Sequence, residues 1–163
     1  MATDSPAPLT LAERRGRGRR IVRLARKLGF VGRIEYRHVY SQTGGAQYGR
    51  GGSDAGDLLT VYAEAFERDA NPEDFSLAAI RAHERGHQLL ARHPRIAKRV
   101  SGSISAGSEE ILASLLGAMI SSDESDRDAL VAKATVELVD RGVSPDVATR
   151  GLQELWDLLE ALL

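Results

Sequence analysis

The chain contains no cysteine in its 163 residues. That absence removes disulfides, iron–sulfur clusters, thiolate zinc knuckles and a cysteine nucleophile together, so any metal has to be held by His, Asp and Glu. There is also no run of about 18 apolar residues that would span a bilayer, and the N-terminus lacks the basic-then-apolar pattern of an export signal. A cytoplasmic protein with no membrane partner is the expectation. Histidine is scarce as well, with four in the chain, yet three of them fall within "HERGHQLLARH", residues 83–93.

The remaining composition, 42% hydrophobic and 28% charged, is that of a globular domain rather than a disordered or repetitive chain. The length suits one compact unit around a single core. The net charge of -1 conceals an asymmetry: residues 13–27 carry eight Arg or Lys against Glu13, whereas residues 107–163 hold twelve acids and four bases. A basic segment of this density can grip nucleic acid, which makes residues 14–27 a candidate contact. The reading is not favoured, because no aromatic residue interleaves with "RRGRGRRIVRLARK" and no nucleic-acid motif surrounds it. A solvated helix face, or pairing with the acidic half, accounts for the charge equally well.

Residues 1–18 are expected to form a flexible tail, with two prolines and no periodicity in "MATDSPAPLTLA". Residues 19–163 then form a single domain, with 57–120 its central part and 122–163 its C-terminal helices. Ile21, Val22, Leu24, Ala25 and Leu28 recur at helical spacing up to Gly29, predicting a first helix from Arg19 to Phe30. "VGRIEYRHVYS" alternates like a strand, a short strand is expected around Gln47 and Tyr48, and "LLTVYAEAF", residues 58–66, is rich in β-formers. Together they predict a small antiparallel sheet of two to four strands. A helix over 77–92 has Asn71-Pro72 and Ser76 as alternative starts. After the small-residue loop at 101–108, helices are expected from near Ser108, over 124–140 with Gly142 as the stop, and over 145–162 behind Ser144-Pro145. The last helix offers Val147, Leu152, Leu155, Leu159 and Leu162, with Trp156 beside them, as an apolar face for the core. The fold class is α+β.

Within the 77–92 helix, His83 and His87 are four residues apart, so their imidazoles share a face one turn apart and can reach one cation. Glu84 is placed to touch a metal-activated water as a general base, giving the H-E-x-x-H arrangement as His83-Glu84-Arg85-Gly86-His87. Random placement of four His and twelve Glu yields this pattern about 0.005 times in such a chain. The competing reading is a solvated helix face that happens to carry imidazoles. Gly86, costing about 1 kcal/mol in a helix interior, predicts that another element crosses there.

A catalytic zinc needs a third ligand and an open fourth position. His93 has the offset of the last ligand in H-E-x-x-H-x-x-G-x-x-H, but Leu90 occupies the glycine position, and a helix continuing through it carries His93 away from the ion. Glu109 and Glu110 open the next helix. Glu110 is preferred, since Ala113 and Ser114, three and four residues on, would let the two helices approach closely. All three candidates stay open at this point. The bland reading of the two glutamates is a pair of acids complementing a helix dipole.

"HERGH" and "EEILAS" together resemble the two motifs of the gluzincin zinc metallopeptidases, and the order of elements is similar to compact members such as the ImmA/IrrE-like proteins. The resemblance covers about residues 57–120. It implies a zincin-like fold, a Zn2+ cofactor held by His83, His87 and Glu110, and hydrolysis of a peptide or protein substrate with Glu84 as base, by an endopeptidase rather than an exopeptidase. It also implies that the 58–66 strand is the edge on which an extended substrate pairs. The residue after Glu110 departs from the family's Asn or Asp, so support for the histidines is unassigned. No oxyanion donor is identifiable, with Tyr62 and His93 the nearest guesses. A catalytically silent, metal-binding member acting by interaction is the second reading, and a nucleic-acid-binding helical domain the third.

Overall fold

The structure, a computed structural model, describes residues 5–41, 45–67, 75–100 and 109–163. Within these it is α+β, with six α-helices and one three-stranded mixed sheet. The elements run α1 (Leu11–Lys27), β1 (Arg33–Tyr36), β2 (Ala46–Gly49), β3 (Leu58–Val61), α2 (Leu77–Arg92), α3 (Pro94–Val100), α4 (Glu109–Ile120), α5 (Glu124–Asp140) and α6 (Pro145–Glu160). Among the described residues no helix is long and apolar enough to cross a membrane.

α1 starts eight residues earlier than the apolar spacing suggests. Thr10 caps it by accepting from the Glu13 amide at 3.2 Å, while Glu13 accepts from the Thr10 amide at 2.7 Å. This reciprocal pair satisfies two otherwise orphaned amides, which draws the expected tail into the helix from Leu11. The T-x-x-E signal stands in the sequence and marks the start that periodicity misses. At the other end Gly29 takes a left-handed conformation, φ 77°, where the chain turns into β1.

The sheet is mixed where an antiparallel one is expected. Its order is β1-β3-β2, with β1 parallel and β2 antiparallel to β3. β3 is therefore the middle strand, and the segment 58–66 offers no free edge for a substrate. Leu59 and Val61 are fully buried and Thr60 nearly so, the pattern of a strand covered on both faces. Beyond Val61 the chain leaves the sheet for a 3-10 turn, Ala63–Phe66, and the strand ends there. Among the described residues β2 is the outer strand on the side of α2. The Tyr62 amide donates to the Gly45 carbonyl at 2.8 Å, and antiparallel alternation then turns the main-chain groups of Ala46 and Tyr48 away from β3.

α2 sits between two apolar clusters. One joins Ile21, Ala25 and Phe30 to Leu59, Val61 and Ile80; the other joins Leu89 and Leu90 to α4, α5 and α6. Ser76 starts α2 by accepting from the Ala78 and Ala79 amides, while its own hydroxyl donates to Asp126 at 2.5 Å. The helix runs unbroken through Leu90 and ends at His93, after which Pro94 begins α3, a helix absent from the sequence expectation. α5 and α6 match their expected starts, and Gly142 turns the chain between them at φ 86°. On α6, Leu152, Leu155 and Leu159 are buried as expected, whereas Leu162 lies beyond the end of the helix and is exposed. The candidate start at Asn71-Pro72 and the loop at 101–108 lie outside the described residues.

A buried polar knot ties α2 to the sheet side. Asp57, fully buried just before β3, accepts from Gln88 Nε2 at 2.7 Å, from the Gly51 amide at 2.8 Å and from the Arg92 guanidinium. Gln88 also donates to the Val31 carbonyl at 2.6 Å. Burial raises the Asp57 carboxyl, but the donors of Gln88, Arg92 and Gly51 outweigh it and hold its pKa down to about 2. The folded pKa lies below the ordinary 3.8, so this contribution is present above about pH 4 and is lost as pH falls through about 2. The gap corresponds to about 2 kcal/mol. Urea midpoints measured from pH 5 downward should fall over this window, and Asp57→Asn should flatten that part of the profile; a variant with the parent's acid sensitivity would refute the assignment.

Candidate metal centre

His83 and His87 project from α2 toward the start of α4, their rings 4.8 Å apart and almost perpendicular, at 89°. Their Nε2 atoms are 3.2 Å apart. The Glu110 carboxylate faces both, with Oε2 at 3.1 Å from His83 Nε2 and Oε1 at 3.3 Å from His87 Nε2. Ligand atoms ~2.0–2.1 Å from a tetrahedral zinc stand ~3.3–3.4 Å from each other. The two imidazole nitrogens, 3.2 Å apart, come close to that figure, and each faces a different oxygen of the Glu110 carboxylate. Among the described residues this is also the one group of three or more His, Asp or Glu side chains able to share an ion.

The outer ring nitrogens are engaged as well. His87 Nδ1 donates to Glu109 Oε1 at 3.0 Å, which leaves Nε2 facing the cluster, where the neutral ring offers a lone pair. His83 Nδ1 pairs with Ser114 Oγ at 3.1 Å, and Ser114 is fully buried. With the ring N–H donating to that hydroxyl, His83 too presents a lone pair inward. Ser114 therefore supplies the hydrogen bond to His83 that the sequence left unassigned, and Glu109 meets the outer nitrogen of His87 rather than the point shared by His83, His87 and Glu110. The signal for Ser114 was its offset of four from Glu110, read as small size alone.

With both rings neutral, two lone pairs and a carboxylate converge on one point and repel unless a positive charge, a cation or a proton, sits among them. The titration behaviour reflects this demand. Burial favours neutral His87, but Glu110, Glu84 and Glu109 outweigh it and push its pKa up to about 9. Hydrogen bonds from His83 and His87 hold the Glu110 carboxyl well below the usual carboxylate range against its partial burial. The cluster attracts a cation or, failing that, protons.

The ligand spacing is set by main-chain contact between α2 and α4. A Cβ built on Gly86 would stand 2.1 Å from the Ala113 carbonyl oxygen, and one on Gly117 would meet the Ala82 carbonyl at 2.8 Å. The crossing expected at Gly86 is thus made by α4, with a second glycine answering from the opposite helix. Ala113 is fully buried at this contact.

Glu84 lines the same cavity, of ≈ 360 Å³, as the two histidines, Glu109 and Glu110. It is 7% exposed, and burial pushes its carboxyl up, against the opposing charges of His83 and His87. The Tyr48 main chain lies within hydrogen-bonding reach of it, so the free rim of β2 runs beside the candidate base. The cavity wall is completed by Ala46, Gln47, Phe75, Ile80 and Lys133, whose ammonium stands 5.8 Å from the Phe75 ring centre. Tyr48 turns its phenol toward Asp57, and burial followed by that carboxylate pushes the phenol up to about 12.

Two candidates fall elsewhere. His93 is exposed at the end of α2, with φ -120° and ψ 70°, and does not join the cluster, because α2 continues straight past Leu90. Tyr62 hydrogen-bonds Gln47 Oε1 at 3.4 Å and does not line the cavity among the described residues. No protein-family model, curated protein or solved structure matches this chain.

Proposed function

We propose that the chain is a zinc-dependent metallopeptidase of zincin-like fold that hydrolyses peptide bonds inside a protein or peptide chain. The observation that carries the reading is the mutual spacing of 3.1 to 3.3 Å between His83 Nε2, His87 Nε2 and the Glu110 carboxylate, beside a buried Glu84. His2Glu is the ligand set of water-activating zinc sites, and it leaves a fourth position open. When bound, zinc supplies a Lewis acid that brings water ionisation close to neutral pH and polarises the scissile carbonyl. Glu84 accepts the proton of the attacking water and returns it to the leaving amine as the C–N bond breaks. Its burial suits both steps, since a raised carboxyl holds a proton more readily than an exposed one.

The outward main-chain groups of Ala46 and the Tyr48 carbonyl offer an extended substrate a strand to pair with, in place of the 58–66 segment, while the Tyr48 amide faces Glu84. Lys133 is the cation on the cavity wall among the described residues, opposite three glutamates.

The purified full-length chain should carry one zinc per molecule and cleave casein, and a metal-free protein at micromolar zinc would end the proposal. A second reading, a metal-binding protein without proteolysis, is favoured by one observation: α5 contributes Lys133 to the cavity, so the C-terminal helices border the cleft. Stoichiometric zinc with no cleavage of any member of a peptide library selects that reading.

A further inference from the structure

The outer face of α1 is a cationic ridge that no ion pair neutralises among the described residues. Arg14, Arg15, Arg19, Arg20, Arg23 and Lys27 are all exposed, and among the described residues none has an ion-pair partner. Arg17 and Arg26 are the ones used internally: Arg17 bonds Tyr36 and pairs with Glu67, and Arg26 donates to the carbonyls of Phe30 and Gly32. α1 packs on β1 and α2, and among the described residues no ion pair joins it to the acidic C-terminal half. Behind the ridge, Arg81 is 1% exposed, lies close enough to Arg20 to feel its charge, and among the described residues its three guanidinium nitrogens have no hydrogen-bond partner.

Arg15, Arg19 and Arg23 recur every fourth residue, so they stand on one face at intervals of ~6 Å. Gly16 and Gly18 lie within this stretch, and a Cβ on either would meet nothing within 4 Å. Packing within the chain therefore does not require them, and each costs about 1 kcal/mol of helix propensity. Glycines that face open space allow another backbone to come close.

From these features we infer that α1 is a docking surface for the phosphate backbone of duplex nucleic acid, bound without regard to sequence and independently of the metal centre. A lipid surface fits less well. The apolar side of α1, Ile21 and Ala25, is consumed by the core, leaving Leu11 and Val22 as its exposed large apolar residues, too few for the broad apolar face of an interfacial helix. Single strands are disfavoured because α1 has no aromatic ring on which bases stack.

The test is fluorescence anisotropy of the full chain with a labelled random duplex of about 20 base pairs. Engagement of about four phosphates predicts about 100-fold weaker binding between about 50 and 200 mM salt. Replacing Arg15, Arg19 and Arg23 together with Gln should weaken binding at least about tenfold at low salt and lower the logarithmic salt slope by about three; Arg19→Gln alone should lower it by about one. Circular dichroism checks that the variants stay folded. Salt-independent binding, full affinity in the triple variant, or tighter binding to anionic phosphatidylserine vesicles than to duplex would each overturn the inference.

Discussion

Glu84→Gln is expected to keep one zinc per chain while lowering kcat for peptide hydrolysis by about 10²–10⁴-fold. Glutamine matches glutamate in volume, so the buried position beside Tyr48 is filled without a cavity. The three groups that meet at 3.1 to 3.3 Å do not include Glu84, so the ligand set survives. Loss of its negative charge also removes one influence that raises the proton affinity of His87, which helps a metal compete with protons. Zinc stoichiometry and steady-state kinetics on one preparation separate the possibilities. A variant that loses its metal would show that Glu84 holds the site together, and one that keeps full activity would remove it from the chemistry.

Gly86→Ala should destabilise the fold by about 2–3 kcal/mol and weaken zinc binding at the same time. Intrinsic propensity points the opposite way, since alanine in a helix interior is favoured over glycine by about 1 kcal/mol. Contact decides the sign. The added methyl would sit 2.1 Å from a carbonyl oxygen and 2.8 Å from its carbon, and these are main-chain atoms that no rotamer change can move. α4 must retreat, taking Glu110 and Ser114 from His83 and His87. Gly16→Ala provides the internal comparison: its methyl meets nothing, so a small gain of up to about 1 kcal/mol is expected from the same change. Chemical denaturation and competition with a zinc chelator read both effects; a Gly86→Ala chain as stable as the parent would show that the helices are not held at main-chain contact.

The convergence of His83, His87 and Glu110 was largely legible because it depends on short-range rules. Four-residue spacing places His83 and His87 together, Ser76 and the unbroken run to Arg92 define their helix, and Gly86 announces a crossing. Glu110 could be singled out because the small residues after it are what a close crossing requires. Strand order was not legible, since β1 and β3 pair in parallel across an intervening strand and local alternation carries no record of that partner. The Asp57 knot was hidden for a similar reason: its members come from a loop, a glycine turn and two turns of α2, and no spacing links Asp57 to Gln88. Glu109 was ambiguous because a ligand and a ligand's hydrogen-bond partner are the same residue type one position apart.

Because Gly86 and Gly117 seat α2 and α4 on each other through main-chain atoms, the calibre of the gap between the imidazoles and Glu110 cannot be retuned by side-chain repacking. A Ca2+ ion asks for six to eight oxygens at ~2.3–2.6 Å, and accommodating it would force the two backbones apart. At the metal centre proposed above, the crossing would act as a gauge that favours small, nitrogen-tolerant ions over large, oxygen-seeking ones, with discrimination set by the helix pair before any ligand atom is engaged.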